Sequence, residues 1–305
     1  MKVPTISVVI PAHNSADTIR DCLDSVVSQT HQPKEIIIVD DASQDHTVAC
    51  IEEWQRTSSH ELSVICQKEN GGPAAARNAG LKAATGEWIA FLDADDAWLP
   101  WRLEMQLAML QQHPDTILLC GQTIGFSDTV TQQYADQANL PSPDVLTLPK
   151  MLSHNPVATS TVFVRRDILT ELNGFDTAFR GPEDYDLWLR MVAAGKCLYM
   201  PIALSKYRTT VGSLSMDDRT FLPEVLRVLD KAFSPNGVLA SYRPLRYRAK
   251  AQQYASASWM AYNRGDRKRA IILLLHSWLC GPTRLEKEQK DPLQRAKLLI
   301  RYVYK

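Results

Sequence analysis

What limits this chain most is a repeated alternation of two patterns. Short apolar, β-branched runs at Ile6–Ile10, Glu35–Val39, Leu62–Cys66, Trp88–Leu92 and Ile117–Cys120 are separated by stretches whose apolar residues recur at helical spacing. Runs apolar on both faces suit strands covered on both sides, and a helix between successive runs makes the crossovers right-handed and the strands parallel. The alternation predicts an α/β fold, a mostly parallel central sheet with helices on both faces. Helices are expected from an Asn14 or Ser15 cap through Val27, from beyond Ser43 to about Arg56, and from Gly71-Gly72-Pro73 through Ala84. Two more are expected over Leu103–Gln112 and Tyr185–Ala194, with further strands at Thr159–Val164 and Leu198–Tyr207. From about Thr123 to Asn155 the pattern weakens, and a long, partly helical insertion over the site is expected. Beyond Tyr207 the chain is read as helical, with Leu245–Asn263 and Arg267–Leu279 forming a hairpin through Arg264-Gly265-Asp266.

In such sheets ligands bind at the carboxyl ends of the strands. Three polar clusters fall at those ends: Pro11-Ala12-His13-Asn14, Asp40-Asp41-Ala42-Ser43, and Asp93-Ala94-Asp95-Asp96. Carboxylates crowded as in the third repel one another unless a positive charge sits among them. A hard divalent cation supplies it and normally brings a phosphate as a further ligand, whereas the plainer reading is a solvated turn that caps the next helix. Asp40-Asp41 is likewise a helix-capping pair or a buried acceptor for a base N–H. Arg77, with Asn78 on the Gly-Gly-Pro helix, is a surface arginine or a planar fork for phosphate. Glu183-Asp184 opens a helix, where capping carboxylates are ordinary, and one of the two also suits a general base for a hydroxyl.

Charge divides the chain. It has 305 residues with 34 Lys+Arg against 34 Asp+Glu, yet residues 243–305 carry a net +11 and residues 1–242 a net −11. The basic helices, which also carry Trp259 and Trp278, fit a solvated cap or a peripheral contact with an anionic membrane. No nucleic-acid partner is expected, because the acidic remainder repels phosphate and no recognition motif occurs. The longest apolar stretch, Ile271–Cys280, is too short to span a bilayer, and Ile6–Ile10 is too short for a secretory signal core. The six cysteines form no C-x-x-C pair and read as reduced core thiols of a cytosolic protein. There is no Gly-x-Ser-x-Gly, Gly-x-Gly-x-x-Gly or P-loop, which sets aside covalent, dinucleotide-dependent and kinase chemistry.

Taken in order, Pro-x-x-Asn, Asp-Asp-Ala-Ser, Gly-Gly-x-x-x-x-Arg-Asn, Asp-x-Asp and a later Glu-Asp resemble the family-2 glycosyltransferases over about residues 4–215. The resemblance implies a GT-A (Rossmann-like) catalytic domain over 1–215, with a nucleotide-binding half to about 120 and an acceptor half from 121 to 215. A basic all-helical region, 216–305, follows. It also implies an inverting transferase that moves a sugar from a nucleotide-diphosphate sugar, with UDP favoured, to a hydroxyl of a cell-surface or lipid-linked glycan. Pro11, Ala12, His13 and Asn14 then lie against the base, Asp41 with Asp40 beside it recognises uracil, and Arg77 meets the nucleotide and diphosphate. Asp93, Ala94 and Asp95 serve the ribose and a Mn²⁺ or Mg²⁺ ion, with Asp95 and Asp93 as metal-side acids. Asp184, with Glu183 beside it, is the base. Thr210 stands where many relatives have His in Tyr-Arg-x-His, so a histidine contact to metal or phosphate is not expected; the Gln-x-x-Arg-Trp and membrane spans of processive synthases are missing, so a single-transfer enzyme is expected. The competing reading is a degenerate, non-catalytic sugar-nucleotide binder or scaffold. A nucleotidyltransferase would need a glycine-rich basic loop where Pro-Ala-His-Asn stands. The enzyme is expected in the cytoplasm, at the inner face of the membrane where the basic helices make contact.

Overall fold

The computed structural model describes residues 3–128, 140–209, 217–281 and 294–304. The chain forms two compact units: Met1–Leu146, Pro156–Thr177 and Arg190–Thr209 make one, and Thr147–Asn155, Ala178–Leu189 and Thr210–Lys305 the other. A cut between 215 and 216 therefore leaves out two inner segments that pack with the C-terminal helices. Composition does not reveal such packing, because it is long-range.

The first unit holds the sheet: β1 (Ile6–Ala12), β2 (Glu35–Asp40), β3 (Ser63–Cys66), β4 (Trp88–Phe91), β5 (Ala97–Trp98), β6 (Thr116–Gly125), β7 (Asp144–Val145), β8 (Phe163–Arg165) and β9 (Lys196–Tyr207). Its order is β3-β2-β1-β4-β8-β6-β9-β5, with β7 also on β9. Strands β1 to β4, β6 and β9 run one way, and β5, β7 and β8 run the other. The sheet is thus mostly parallel, with reversed strands in its second half that are too short to leave a periodic signature.

Both faces are covered, as the two-sided apolar runs require. Ile6, Val8 and Ile10 of β1 share a core with Ile19, Leu23 and Val26 of α1 (Ile19–Val27) and with Ile51 and Trp54 of α2 (Thr47–Thr57). Val9 points the other way, toward α3 (Gly72–Ala83), where a Cβ on Gly80 would lie 2.4 Å from its Cγ1. Gly80 lets the two backbones approach. Ser7, the polar residue inside β1, donates to Glu35 Oε1 at 2.5 Å and accepts from Gly86 N at 2.8 Å. Burial pushes the Glu35 carboxyl up, but hydrogen bonds from Ser7 and Thr85 outweigh it and hold the group below its ordinary value.

Helix α4 (Arg102–Gln112) follows the acidic turn, and α6 (Arg166–Glu171) follows β8. Several expectations shift. Helix α1 begins at Ile19, not at an Asn14 or Ser15 cap, because the Ser15 carbonyl accepts from Thr18 N and Ile19 N in a turn. Of the strand expected over Thr159–Val164, Thr159–Thr161 is a 3-10 turn. Helix α7 (Glu183–Ala194) starts two residues early. The insertion beyond Thr123 begins as the end of β6 and later contains β7 and the short helix α5 (Leu148–Ser153), while residues 129–139 and Thr210 lie outside the described residues. The cysteines do not all belong to the core: Cys22, Cys120 and Cys197 are buried, but Cys50 and Cys280 are half-buried and Cys66 is exposed. Strand β3 is an edge strand and leaves Cys66 uncovered.

The second unit holds α5, the first turns of α7, α8 (Asp218–Ala232), α9 (Arg246–Asn263), α10 (Arg267–Cys280) and α11 (Gln294–Tyr304). The expected hairpin is present as α9 and α10, joined through Gly265 at φ +90°. Buried Ala249, Ala251, Ala257 and Ala261 on α9 let α10 pack closely, and the Ser277 hydroxyl donates to Ala251 O at 2.7 Å. Asp218, wholly buried at the start of α8, pairs with Arg264 at 2.7 Å and with Arg269. No helix among the described residues is long and apolar enough to cross a membrane.

Candidate active site

The loops after β1 and β2 interlock. The His13 ring, exposed at the rim, has Nδ1 2.8 Å from Asp41 O, and its Nε2 accepts from the side-chain amides of Asn14 and Asn70, each at 3.1 Å. These bonds fix the ring with its proton on Nδ1. Asn14 takes φ +50° and Ala42 φ +55°, both in the left-handed region. Alanine rarely adopts that conformation, so the loop at Ala42 is strained. Asn14 N donates to Ser43 Oγ at 2.9 Å, and Gln44 N donates to Asn14 Oδ1 at 2.8 Å. Pro11 is half-buried and Ala12 is buried at the strand end, where its carbonyl accepts from Asp41 N at 2.8 Å.

The two carboxylates after β2 divide their work. Asp41 accepts from Gly71 N and Gly72 N, each at 2.8 Å, and so holds the turn that opens α3. Gly72 takes φ +81°, which admits little but glycine there. Each Asp41 oxygen keeps a second lone pair. Asp40 accepts from Ser43 N at 3.1 Å through Oδ2, while its buried Oδ1 has no partner among the described residues.

At the end of β4 the acidic turn is stitched from several elements. Arg77, reaching from α3, pairs with Asp93 Oδ1 at 2.7 Å and lies over the Phe175 ring. Asp96 is buried and accepts from the Ser160 hydroxyl at 2.6 Å and from Arg208 N at 3.0 Å. Burial, with the charge of Asp93, raises the Asp96 carboxyl to about 7. The Arg208 guanidinium donates to Asp95 O at 3.0 Å and to Asp21 at 2.8 Å, and it stacks on Phe126 at 3.6 Å. The half-buried Asp95 carboxyl is raised by burial and then by Asp93. A cation at this turn would ease the shift at Asp95, of which burial is the larger cause and which Arg208 and Arg77 already oppose. No group of three or more His, Cys, Asp or Glu that could hold a metal is present among the described residues. An ion that takes most of its shell from phosphate and water needs fewer protein ligands.

In the second unit, Glu183 and Asp184 separate by role. Glu183 is buried and accepts from Gly181 N at 2.8 Å, tying the turn before α7. Asp184 is half-buried and lines a cleft with Phe221 and Gln252.

A family model described as "Glycosyl transferase family 2" matches residues 7–172. The chain belongs to that family. It is a glycosyltransferase. The relative WfgD of Escherichia coli, named as a UDP-Glc:alpha-D-GlcNAc-diphosphoundecaprenol beta-1,3-glucosyltransferase, is 31% identical over 215 residues, 69% of this chain and 79% of WfgD. Among solved structures, S. aureus TarS 1–349 in complex with UDP-GlcNAc superposes with a TM-score of 0.65 at 20% identity, covering 92% of this chain and 82% of TarS 1–349. The mannosyltransferase PcManGT from Pyrobaculum calidifontis, in complex with GDP-Man and Mn²⁺, gives 0.64 at 20% identity over 99% of this chain and 80% of its own. These likenesses establish the GT-A fold of the enzyme.

The first unit of the glycosyltransferase brings His13, Asn14 and Asp41 together around one loop pair, and Arg77 with Asp93 around another. Ser160, Arg208 and Asn70 escape sequence reasoning, since each meets its partner from a distant part of the chain. Arg208 lies in the Tyr207-Arg208 segment, which is the one trace of it in the sequence.

Proposed function

We propose that this glycosyltransferase moves a hexosyl or N-acetylhexosaminyl group from a UDP-sugar to a hydroxyl of a cell-surface or lipid-linked glycan, inverting the anomeric centre. The observation that carries the reading is the acidic turn after β4. There Arg77 pairs with Asp93, and the Asp95 carboxyl is raised by burial and then by the Asp93 charge that the pair leaves. A Mn²⁺ or Mg²⁺ ion held by Asp95, with Asp93 beside it, would supply Lewis-acid stabilisation of the diphosphate charge. Arg77 and Arg208 add fixed positive charge beside it. The exposed His13 ring offers a face for the base, next to Pro11, Ala12 and Asn14, and Asp41 and Asp40 offer acceptors to its N–H. Asp184 takes the proton of the acceptor hydroxyl as that oxygen attacks the anomeric carbon from the side opposite the leaving diphosphate. UDP is favoured over GDP because the donor in WfgD's name is UDP-Glc, at 31% identity. A lipid-linked acceptor is favoured on the same ground.

The test is calorimetric titration of UDP with Mn²⁺ and then with EDTA, on wild type and Asp95→Ala. Micromolar, metal-dependent binding that weakens at least about tenfold in the variant is expected, since about 1.4 kcal/mol at the cation corresponds to tenfold. Heat with GDP alone would keep the fold and replace the donor. Silence with every nucleotide would favour the non-catalytic scaffold.

A peripheral membrane contact through the basic C-terminal helices, at the inner face, belongs to the same reading. On α10, Ile272, Leu275 and Leu279 repeat along one stripe and are all exposed, Leu279 at 82%. A positively charged region with an apolar stripe suits an anionic bilayer. Co-flotation with phosphatidylglycerol-containing vesicles, absent with phosphatidylcholine alone and lost in Leu279→Glu, is the expected result. Equal behaviour with both vesicle types would remove the membrane from the reading.

A further inference from the structure

Behind the acidic turn that follows β4 lies a buried polar assembly with no part in the transfer chemistry above. Residues 98 to 106 send three side chains to three successive carbonyls of the stretch 160–162. Trp98 Nε1 donates to Ser160 O at 3.0 Å, Gln106 Nε2 to Thr161 O at 2.8 Å and Arg102 Nη2 to Val162 O at 2.8 Å. Arg102 also donates to Phe91 O at the end of β4, at 3.2 Å, and to Gln106 Oε1 at 3.3 Å, while its guanidinium stacks on Trp98. Both Arg102 and Gln106 are wholly buried, and the oxygens that answer the guanidinium belong to carbonyls and an amide, not to a carboxylate. Taking a guanidinium out of water is expensive, and an apolar side chain would serve packing alone. What the charge adds is a fixed backbone at 160–162.

The Ser160 hydroxyl carries that fixed backbone to the site. It donates to Asp96 Oδ2 at 2.6 Å and accepts from Asp93 N at 3.2 Å. One hydroxyl therefore holds the first and the last residue of the turn, with Asp95 between them. Asp96 N closes the same turn on Asp93 O at 3.0 Å. Asp96 is itself buried, and its other oxygen accepts from Arg208 N, so this carboxylate anchors the turn from inside. Ser160, only 2% exposed, is too enclosed to touch a nucleotide.

We propose that Ser160 is a positioning residue of the donor site: its hydroxyl, set in place by Trp98, Arg102 and Gln106, fixes the turn on which Asp93 and Asp95 face the diphosphate. The inference rests on the donor reading above and adds the group that holds those acids in place before a nucleotide arrives. Partners that orient a metal's ligands typically change its affinity by about 10–100-fold when lost, because loosened ligands must be ordered on binding.

The experiment compares wild type, Ser160→Ala, Ser160→Thr and Ser277→Ala, the last a buried serine of α10 whose hydroxyl meets Ala251 O in the other unit. UDP is titrated at a series of Mn²⁺ concentrations, and amide hydrogen exchange is followed over residues 92–97. In Ser160→Ala the Mn²⁺ concentration for half-maximal UDP binding is expected to rise about 10–100-fold, and exchange at Asp93 to quicken. Threonine keeps the hydroxyl and is expected to restore both. Ser277→Ala loses a comparable buried hydrogen bond and is expected to change neither. A wild-type Mn²⁺ dependence in Ser160→Ala overturns the proposal, and so does an equal shift in Ser277→Ala, which marks a general loss of stability. Should wild type bind no nucleotide, quickened exchange at Asp93 in Ser160→Ala alone keeps the pinned turn and sinks the donor reading, whereas unchanged exchange sinks both.

Discussion

Asp184→Asn is expected to lower the transfer rate by about 10²–10⁴-fold, the usual contribution of a general base, with UDP affinity within a few-fold of wild type. The asparagine keeps the size and the hydrogen-bonding shape and removes only the basicity. The two acidic neighbours are distinguished by what they touch. Glu183 is buried on the Gly181 N–H and serves the turn, whereas Asp184 lines the cleft. Losing a charge in the first turn of α7 costs about 0.3–1 kcal/mol through the helix dipole, which does not unfold the protein. Circular dichroism and UDP titration check that point, and steady-state transfer with a saturating donor reads the rate. A mild effect at Asp184 combined with a severe one in Glu183→Gln would move the base to the neighbouring residue. Proton NMR of the product, showing the anomeric configuration opposite to the donor's, tests inversion in the same assay.

The largest stability effect is expected at Asp218. Its carboxylate is wholly buried and faces Arg264 and Arg269, which bring α9 and α10 against α8. Arg219 pairs with Asp266 at 3.3 Å and Arg264 also with Asp217 at 2.9 Å, so the site is a small network and not a lone pair. Removing one partner of a buried pair typically costs 3–5 kcal/mol because the remaining charge is stranded. Both arginines are about a third exposed and can recover water, which lowers the expectation for Asp218→Ala to roughly 2–4 kcal/mol. Urea unfolding followed by tryptophan fluorescence and by circular dichroism measures it. With two compact units, the two probes are expected to separate in the variant as the helical unit melts first. A midpoint unchanged from wild type would show that the network is solvated and contributes nothing.

Legibility differed between elements for physical reasons. Strands β1, β2 and β4 announce themselves because a strand buried on both faces must be apolar at every position, and Ile6–Ile10 and Ile36–Val39 are nearly so. The polar clusters that end them were legible for the complementary reason, since buried strands hand over abruptly to loops that carry Pro11, Asp40 and Asp93. The reversed strands were not legible. Strands β5 and β7 have two residues each and β8 three, too few for any period to register. The start of α1 differs because Asn14 and Ser15 have the chemistry of helix caps but are engaged by Ser43 of the loop after β2 and by Thr47 at the start of α2, some thirty residues away.

Arg102 shows the limit most sharply. It stands one residue ahead of the helix expected over Leu103–Gln112 and is fully buried. It stacks on Trp98 at 3.8 Å and donates to Phe91 O at 3.2 Å and Val162 O at 2.8 Å. Ser160, in a stretch that reads as plain strand, turns instead toward Asp96. Local periodicity and turn chemistry, which the chain carries by itself, determined the layered α/β architecture, the strand ends that bear acids, and the basic helical end. Only the tertiary structure decided that Arg77 answers Asp93, that Glu183 caps while Asp184 faces a cleft, and that Gln252 meets that cleft. Those choices depend on which distant elements the sheet order and the helix packing bring side by side, and sequence spacing holds no record of that distance.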